Sequence, residues 1–121
     1  MVPFNPKKVQ KTWGHEIWLA NNEKEDYCGK ILYIKKGHST SMHYHENKHE
    51  TFFVISGTLR VDMLRDKNSP DAHPFTMTCM KGESMEMDRL QAHKLMATDS
   101  DVELIEISKF HRDEDSHRLY R

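Results

Sequence analysis

Residues with metal-ligand chemistry are concentrated in "SMHYHENKHETFFVISG", which runs from Ser41 to Gly57. His43, His45 and Glu50 supply two imidazoles and a carboxylate, the donor types of catalytic metal sites. The same stretch also contains an H-E-x-x-H string, His45–His49, which is the pattern of a zinc protease helix. The two interpretations need different secondary structure, so the local fold decides between them.

The surroundings of the H-E-x-x-H string favour a strand over a helix. The string holds a metal only on a helix, where positions i and i+4 share one face. No apolar residue lies between Tyr44 and Phe52 to dock such a helix, and the strand-like run "TFFVI" follows. On a strand, positions i and i+2 share a face, so His43 and His45 are expected to point the same way.

Glu50 begins the next predicted strand, whose alternation would send Phe52 and Val54 inward with it. If this strand pairs beside the first, two imidazoles and a carboxylate converge in one interior. Burying them without a partner would be costly, and a divalent cation removes that cost. His93, in "LQAHKLM", is the best candidate for a fourth ligand. The predicted metal ligands are therefore His43, His45, Glu50 and His93.

The remaining histidines of the nine in the chain receive no functional role. His15, His38, His73 and His111 have no partner at a useful spacing. His49 falls in the connection between two strands and is expected to be exposed.

Short segments rich in aromatic and β-branched residues, separated by turns, occur along most of the chain. The predicted strands lie in "HEIWLA", "YCGKILYIKKG", "ETFFVIS", "TLRVDML", "PFTMTCMKG", "SMEMD" and "VELIEIS". No window shows a long apolar stripe of helical period bounded by caps. Many short strands at close spacing indicate an all-β fold, an antiparallel sandwich or barrel.

The composition predicts a single domain over residues 1–121, with an N-terminal arm at about 1–12 and a C-terminal tail at about 109–121. With a net charge of −1, nothing favours nucleic acid or an anionic membrane as a partner. Cys28 and Cys79 form no C-x-x-C motif, which is typical of reduced thiols in a cytoplasmic protein. The first residues contain no apolar run, so neither a signal peptide nor a membrane span is expected.

The polar composition, with 36% hydrophobic residues, suggests that subunit pairing completes the core. Phe53, Ile55, Leu32 and Ile34 are expected to face away from the metal pocket. A homodimer formed by sheet packing would bury them.

The spacing G-x5-H-x-H-x4-E-x6-G, from Gly37 to Gly57, resembles the first cupin motif without a gap. The second motif, G-x5-P-x-G-x2-H-x3-N, is matched at Gly82 and His93. Asp88, Leu90 and Ala97 replace its proline, glycine and asparagine, which removes the turn residues of that loop. The resemblance implies a small single-domain cupin, a jelly-roll-like antiparallel β-barrel with a metal inside.

Among cupins, the chain is most similar to the isomerase domain of type II phosphomannose isomerases. "KTWGHEIWL" resembles R-P-W-G-x-Y-x-x-L, and "YCGKILYIKKG" resembles Y-K-V-K-R-I-x-V-x-P-G, keeping Lys30. "ETFFVISGT", "VELIEIS" and "DEDSHR" resemble E-H-W-x-V-V-x-G-x, L-x-L-I-E-V-Q and E-D-D-I-V-R, which places Arg118 on a conserved arginine. His43 stands where the family usually has glutamine, and Ile31 where it often has arginine.

Three histidines and one carboxylate leave positions open on a six-coordinate metal, and the set suits Zn, Mn, Fe, Ni or Co. In an aldose–ketose isomerase such a metal acts as a Lewis acid on the substrate oxygens while a base moves a proton between carbons. The candidate catalytic residues are Glu50, Lys30 and Arg118, with Lys30 and Arg118 binding a phosphate or polarising the sugar. The alternative is that both cations are ordinary surface residues.

The expected function is metal-dependent isomerisation of a sugar or sugar phosphate. Two alternatives use the same pocket: a small metal-dependent dioxygenase, and a non-catalytic cupin that binds a sugar. The fold hosts all three, so the fold alone does not separate them.

Overall fold

The computed structural model describes residues 1–69 and 73–121, and it confirms the all-β prediction. The strands in chain order are β1 (Lys7–Lys11), β2 (Gly14–Asn22), β3 (Tyr27–Ile34), β4 (His38–Ser39), β5 (Met42–Tyr44), β6 (Glu50–Ser56), β7 (Thr58–Met63), β8 (Phe75–Met80), β9 (Ser84–Met87), β10 (His93–Ala97), β11 (Val102–Ser108) and β12 (His117–Tyr120). A 3-10 turn at Asp113–Asp115 precedes β12. Within the two described ranges, no helix is long and apolar enough to cross a membrane.

The strands form two antiparallel sheets that face each other. The first sheet has the order β1-β2-β3-β11-β6-β9, and the second has the order β12-β5-β10-β7-β8, with β4 paired to β10. Neighbouring strands within each sheet are mostly distant in sequence, so the chain crosses repeatedly between the sheets. This is the antiparallel jelly-roll arrangement that the resemblance to the cupin motif implies.

The strands that alternate most clearly were predicted best. "ETFFVIS" and "VELIEIS" coincide with β6 and β11. The sequence patterns did not predict β1, β10 or β12 as strands. β1 and β12 are sheet edges, where charged residues are usual, and they lie in the segments described as an arm and a tail. In β10 the first inward-facing residue is a histidine. The alternation of hydrophobic and polar residues that indicates a strand is therefore weak there.

The core lies between the inner faces of the two sheets. Phe52 and Val54 are fully buried, as their alternation with Glu50 predicts. The expectation that Leu32 and Ile34 face outward is wrong, because both are buried in the same core. They share the inner face of β3 with Lys30, since alternate residues of a strand point to one side.

Candidate metal centre

Three histidines from the second sheet converge between the sheets. His43 lies in β5 and pairs directly with His93 at the start of β10, while His45 follows β5 by one residue. One ring nitrogen from each lies within 4.8 Å of the others. His45 and His93 are buried and His43 is half-buried. The imidazoles that the motif spacing indicated therefore lie close together, as the strand interpretation of this segment predicts.

The hydrogen bonds of the three rings fix which nitrogen is free. The Nδ1 atoms of His43, His45 and His93 lie 2.8, 3.0 and 2.9 Å from the backbone oxygens of Ser41, Asp115 and Gln91. A carbonyl oxygen only accepts, so each Nδ1 donates its hydrogen, and Nε2 is the nitrogen of each ring that is left for a metal. This is the arrangement by which metal-binding histidines are oriented.

Burial and the neighbouring rings keep His43 neutral. Desolvation, together with repulsion from His93 and His45, lowers the pKa of His43 to about 3. A neutral imidazole at physiological pH is the protonation state that a metal requires.

Glu50 supplies the carboxylate beside two of these rings. Its Oε1 lies 3.2 Å from Nε2 of His45 and 3.4 Å from Nε2 of His93. The same oxygen is buried and has no hydrogen-bond partner. An ionised oxygen that faces nitrogen lone pairs without a donor is costly, and a divalent cation between them removes that cost. The donor set thus fits a transition metal, with His43, His45, His93 and Glu50 as the residues that would hold it.

A loop beside this centre depends on Leu90. Leu90 occupies the position of the missing motif glycine, and it adopts a left-handed conformation with φ of 68°. Its backbone N–H donates to the carbonyl oxygen of His45 at 2.7 Å. The glycine conformation is therefore kept even though the glycine is not, and the turn still closes against a ligand residue.

The C-terminal residues 109–121 contribute contacts to the centre. Asp115 is buried, and its carboxylate accepts hydrogen bonds from the backbone N–H groups of Glu46 and Asn47 at 2.9 and 3.1 Å. Its carbonyl oxygen accepts the Nδ1 hydrogen of His45. One residue thus anchors the loop between β5 and β6 and orients a predicted ligand.

The two sheets enclose a cavity of about 690 Å³ with the histidines and Glu50 at its inner end. Lys30 and Arg118, predicted from the resemblance, both line it. The structure places Lys30 in the interior, so the alternative of a surface lysine is wrong for this residue. Its Nζ lies 3.6 Å from the Glu16 carboxylate and 4.4 Å from the centre of the Trp18 ring.

Arg118 reaches the cavity from the edge of the second sheet. It lies opposite His43 in the register between β12 and β5. Cross-strand partners point to the same face, so the arginine projects beside a predicted ligand. Arg118 is exposed, and among the described residues no carboxylate lies within salt-bridge distance of it or of Arg121, which also lines the cavity.

Three buried or half-buried polar residues of this cavity were missed by the sequence analysis. Lys48, Glu106 and His111 all line it. Lys48 Nζ donates to Glu106 Oε2 at 3.1 Å and to His111 Nδ1 at 3.2 Å. Lys48 falls in a polar connection that predicts exposure, and the other two lie far away in sequence. The only local signal is the i, i+2 spacing of His111 and Asp113, which are hydrogen-bonded at 2.8 Å.

The charges of these residues depend on one another. Burial lowers the pKa of Lys48, but the Glu106 and Glu50 carboxylates raise it more, so the ammonium stays charged. Burial and the Glu50 carboxylate raise the pKa of Glu106. Burial, with the positive charges of Lys30 and Lys48, lowers the pKa of His111 to about 4. His111 is therefore a neutral acceptor in the cavity wall, although its spacing in the sequence indicated no partner.

The cupin domain family matches residues 30–108, and the chain belongs to the cupin family. This match covers the three strands β5, β6 and β10, which position the predicted ligands. No curated protein matches the chain.

Solved structures with the same fold include two of CapF and one of oxalate decarboxylase. CapF, a capsular polysaccharide assembling protein from Staphylococcus aureus, has a TM-score of 0.81 at 18% identity, over 98% of this chain and 33% of that one. CapF with the inhibitor 3-isopropenyl-tropolone gives 0.80 at 17% identity, over 98% and 36%. Oxalate decarboxylase from Bacillus subtilis at pH 4.6 gives 0.78 at 15% identity, over 94% and 30%.

This chain spans about a third of the length of each of these proteins. At such low identity the likeness shows the fold and leaves the activity open, since one fold hosts many functions.

Proposed function

We propose that this cupin is a metal-dependent isomerase that interconverts an aldose and a ketose, with a phosphorylated sugar as the favoured substrate. The observation that supports it most is one cavity with a three-histidine, one-carboxylate donor set at its inner end and Arg118 beside it. A volume of about 690 Å³ is within the usual range for small-molecule sites. The sequence resemblance to the isomerase domain of phosphomannose isomerases points the same way.

Arg118 would bind the phosphate of such a substrate. Its guanidinium has no carboxylate partner among the described residues, so its donors are available to an anion. Guanidinium groups bind phosphate through two parallel hydrogen bonds. Lys30 is less suited to this role, because Glu16 already balances its charge. Its remaining N–H groups can donate to a sugar hydroxyl.

Glu50 is the candidate for the proton transfer between adjacent carbons. Its Oε1 faces the histidines and would bind the metal, so Oε2 is the oxygen that would accept the proton. In the reaction, one proton moves from the carbon that bears the hydroxyl to the neighbouring carbonyl carbon. A second proton moves from the hydroxyl oxygen to the carbonyl oxygen, so that the hydroxyl becomes the new carbonyl. A bound divalent metal would supply Lewis acidity to the two substrate oxygens.

Deuterium exchange tests this proposal more sensitively than product formation. The metal-loaded protein would be incubated in D2O with mannose 6-phosphate, glucose 6-phosphate or fructose 6-phosphate, and with the free sugars. The proposal predicts an aldose–ketose interconversion and deuterium at the carbon next to the carbonyl, both lost with Glu50→Gln. Absence of exchange with every sugar in a metal-loaded protein would contradict it.

A sugar-binding cupin without turnover is the second candidate. The other carboxylates of the inner cavity, Glu16 and Glu106, are engaged by Lys30 and Lys48 and leave few free bases. This candidate predicts that a sugar phosphate binds in calorimetry while no deuterium enters it. Binding together with exchange would reject it in favour of the isomerase.

A further inference from the structure

The second oxygen of the Glu50 carboxylate faces a buried lysine. Lys48 is 4% exposed although it lies in the connection between β5 and β6. Its Nζ lies 3.9 Å from Glu50 Oε2, while Oε1 of the same carboxylate faces His45 and His93. One oxygen of Glu50 thus faces a cation, and the other faces the two imidazoles.

The ammonium of Lys48 is itself held by two further groups. It donates to Glu106 Oε2 and to His111 Nδ1, and His111 in turn donates from Nε2 to Asp113. Two of its N–H groups are therefore hydrogen-bonded, one to β11 and one to the C-terminal residues 109–121, while Glu50 in β6 attracts the ammonium by charge at 3.9 Å. An ammonium held in this way has one position, so it can orient a flexible carboxylate.

We propose that Lys48 is a positioning residue for the metal centre, which restrains Glu50 so that Oε1 alone is presented to the metal. Without the ammonium, both carboxylate oxygens are free to turn toward the cation. A glutamate that binds through one oxygen leaves more of the coordination sphere for a ligand than one that binds through two. This role rests on the metal site and is independent of the reaction that follows.

The chain contains a matched control in Lys30. Both lysines are buried in the same cavity and both pair with a glutamate, but Lys30 pairs with Glu16 and has no contact with Glu50. Replacing either lysine by methionine removes one buried charge next to the site. Only the replacement of Lys48 removes the restraint on Glu50.

The test is titration of the metal-free protein with Co²⁺ against a competing chelator, followed by the visible absorption of the bound ion. Lys48→Met is expected to weaken Co²⁺ binding by about ten- to a hundredfold, the usual effect of losing a group that orients a ligand. It should also change the Co²⁺ spectrum, because the number of oxygen donors changes. Lys30→Met should alter neither.

A double variant with Glu50 distinguishes a positioning role of Lys48 from a general loss of structure. In a Glu50→Gln background, Lys48→Met should have little further effect on Co²⁺ affinity or spectrum. An equal loss in both backgrounds would overturn the proposal, and so would a Lys48→Met protein that binds Co²⁺ as tightly as the wild type or more tightly.

Removal of a buried cation can also unfold the chain, because Glu106 is left without its partner. A Lys48→Met/Glu106→Gln variant removes both charges of the pair, so neither charge is left buried without its partner. Its Co²⁺ binding should be weaker than that of Glu106→Gln alone by the same factor. Wild-type protein that binds no Co²⁺ would overturn the metal site and this role with it. Wild-type binding that Lys48→Met leaves unchanged would overturn this role alone.

Discussion

Arg118 lies directly opposite His43 across β12 and β5, so a free guanidinium projects next to a predicted metal ligand. The pairing joins an edge strand at the end of the chain to the motif that holds the histidines. Both residues line the same cavity.

Replacing Arg118 with alanine should weaken the binding of phosphorylated sugars much more than that of free sugars. A charge-assisted hydrogen bond contributes about 1.5–3 kcal/mol, so the loss should be about ten- to a hundredfold in Kd for the phosphorylated ligand. Arg112→Ala is the matched control, because Arg112 pairs with Glu23 and does not line the cavity. Isothermal titration with both sugar forms measures the difference, and an equal loss for both would argue against phosphate binding by Arg118.

Gly57 should tolerate replacement by alanine far less than Gly37 does. The two glycines stand at opposite ends of the same motif, and both have a positive φ. A Cβ at Gly57 would lie 2.2 Å from the backbone oxygen of Asp101, whereas one at Gly37 meets nothing within 4 Å. Gly37→Ala should cost about 1 kcal/mol of left-handed strain, and Gly57→Ala about 3 kcal/mol once the clash is added. Urea unfolding compares the two, and equal losses would show that strain alone determines both.

Leu90→Gly should leave the free energy of unfolding unchanged or raise it. Glycine relieves about 1 kcal/mol of left-handed strain at this exposed position, which offsets the entropy it adds to the unfolded chain. Leu19→Gly is the control, since Leu19 is also exposed but lies in β2, where glycine should cost about 1 kcal/mol. Thermal unfolding measures both variants, and a loss at Leu90 as large as at Leu19 would contradict the strain.

The outer face of the first sheet presents an apolar row suited to a second copy of the chain. Ile17, Ile31, Ile105 and Phe53 follow one another across four strands in register. We expect a homodimer in light scattering at micromolar concentration, and Phe53→Asp should dissociate it. Met77→Asp, on β8 of the second sheet, should leave the dimer intact. A wild-type monomer would reject this interface.

Features that depend on neighbouring residues in the sequence were predicted correctly. The alternation of β6 and β11 and the i, i+2 spacing of His43 and His45 depend on neighbours in sequence. Lys48 and Glu106 are buried because strands far apart in the chain enclose them, and their charges are tolerated only because they meet there. Leu32 lies two residues after Lys30 on β3, so both side chains point to the same face. Alternation applied consistently along this strand would therefore have predicted that Leu32 points inward.

The most direct test of the account is the metal content of the purified protein, measured by elemental analysis. We expect one divalent transition metal per chain in the wild type and none in a His43→Ala/His45→Ala variant. A His38→Ala/His73→Ala variant removes two histidines that do not line the cavity and should keep the full complement. A His43→Ala/His45→Ala protein that still holds one metal per chain would contradict the ligand assignment on which the proposed function depends.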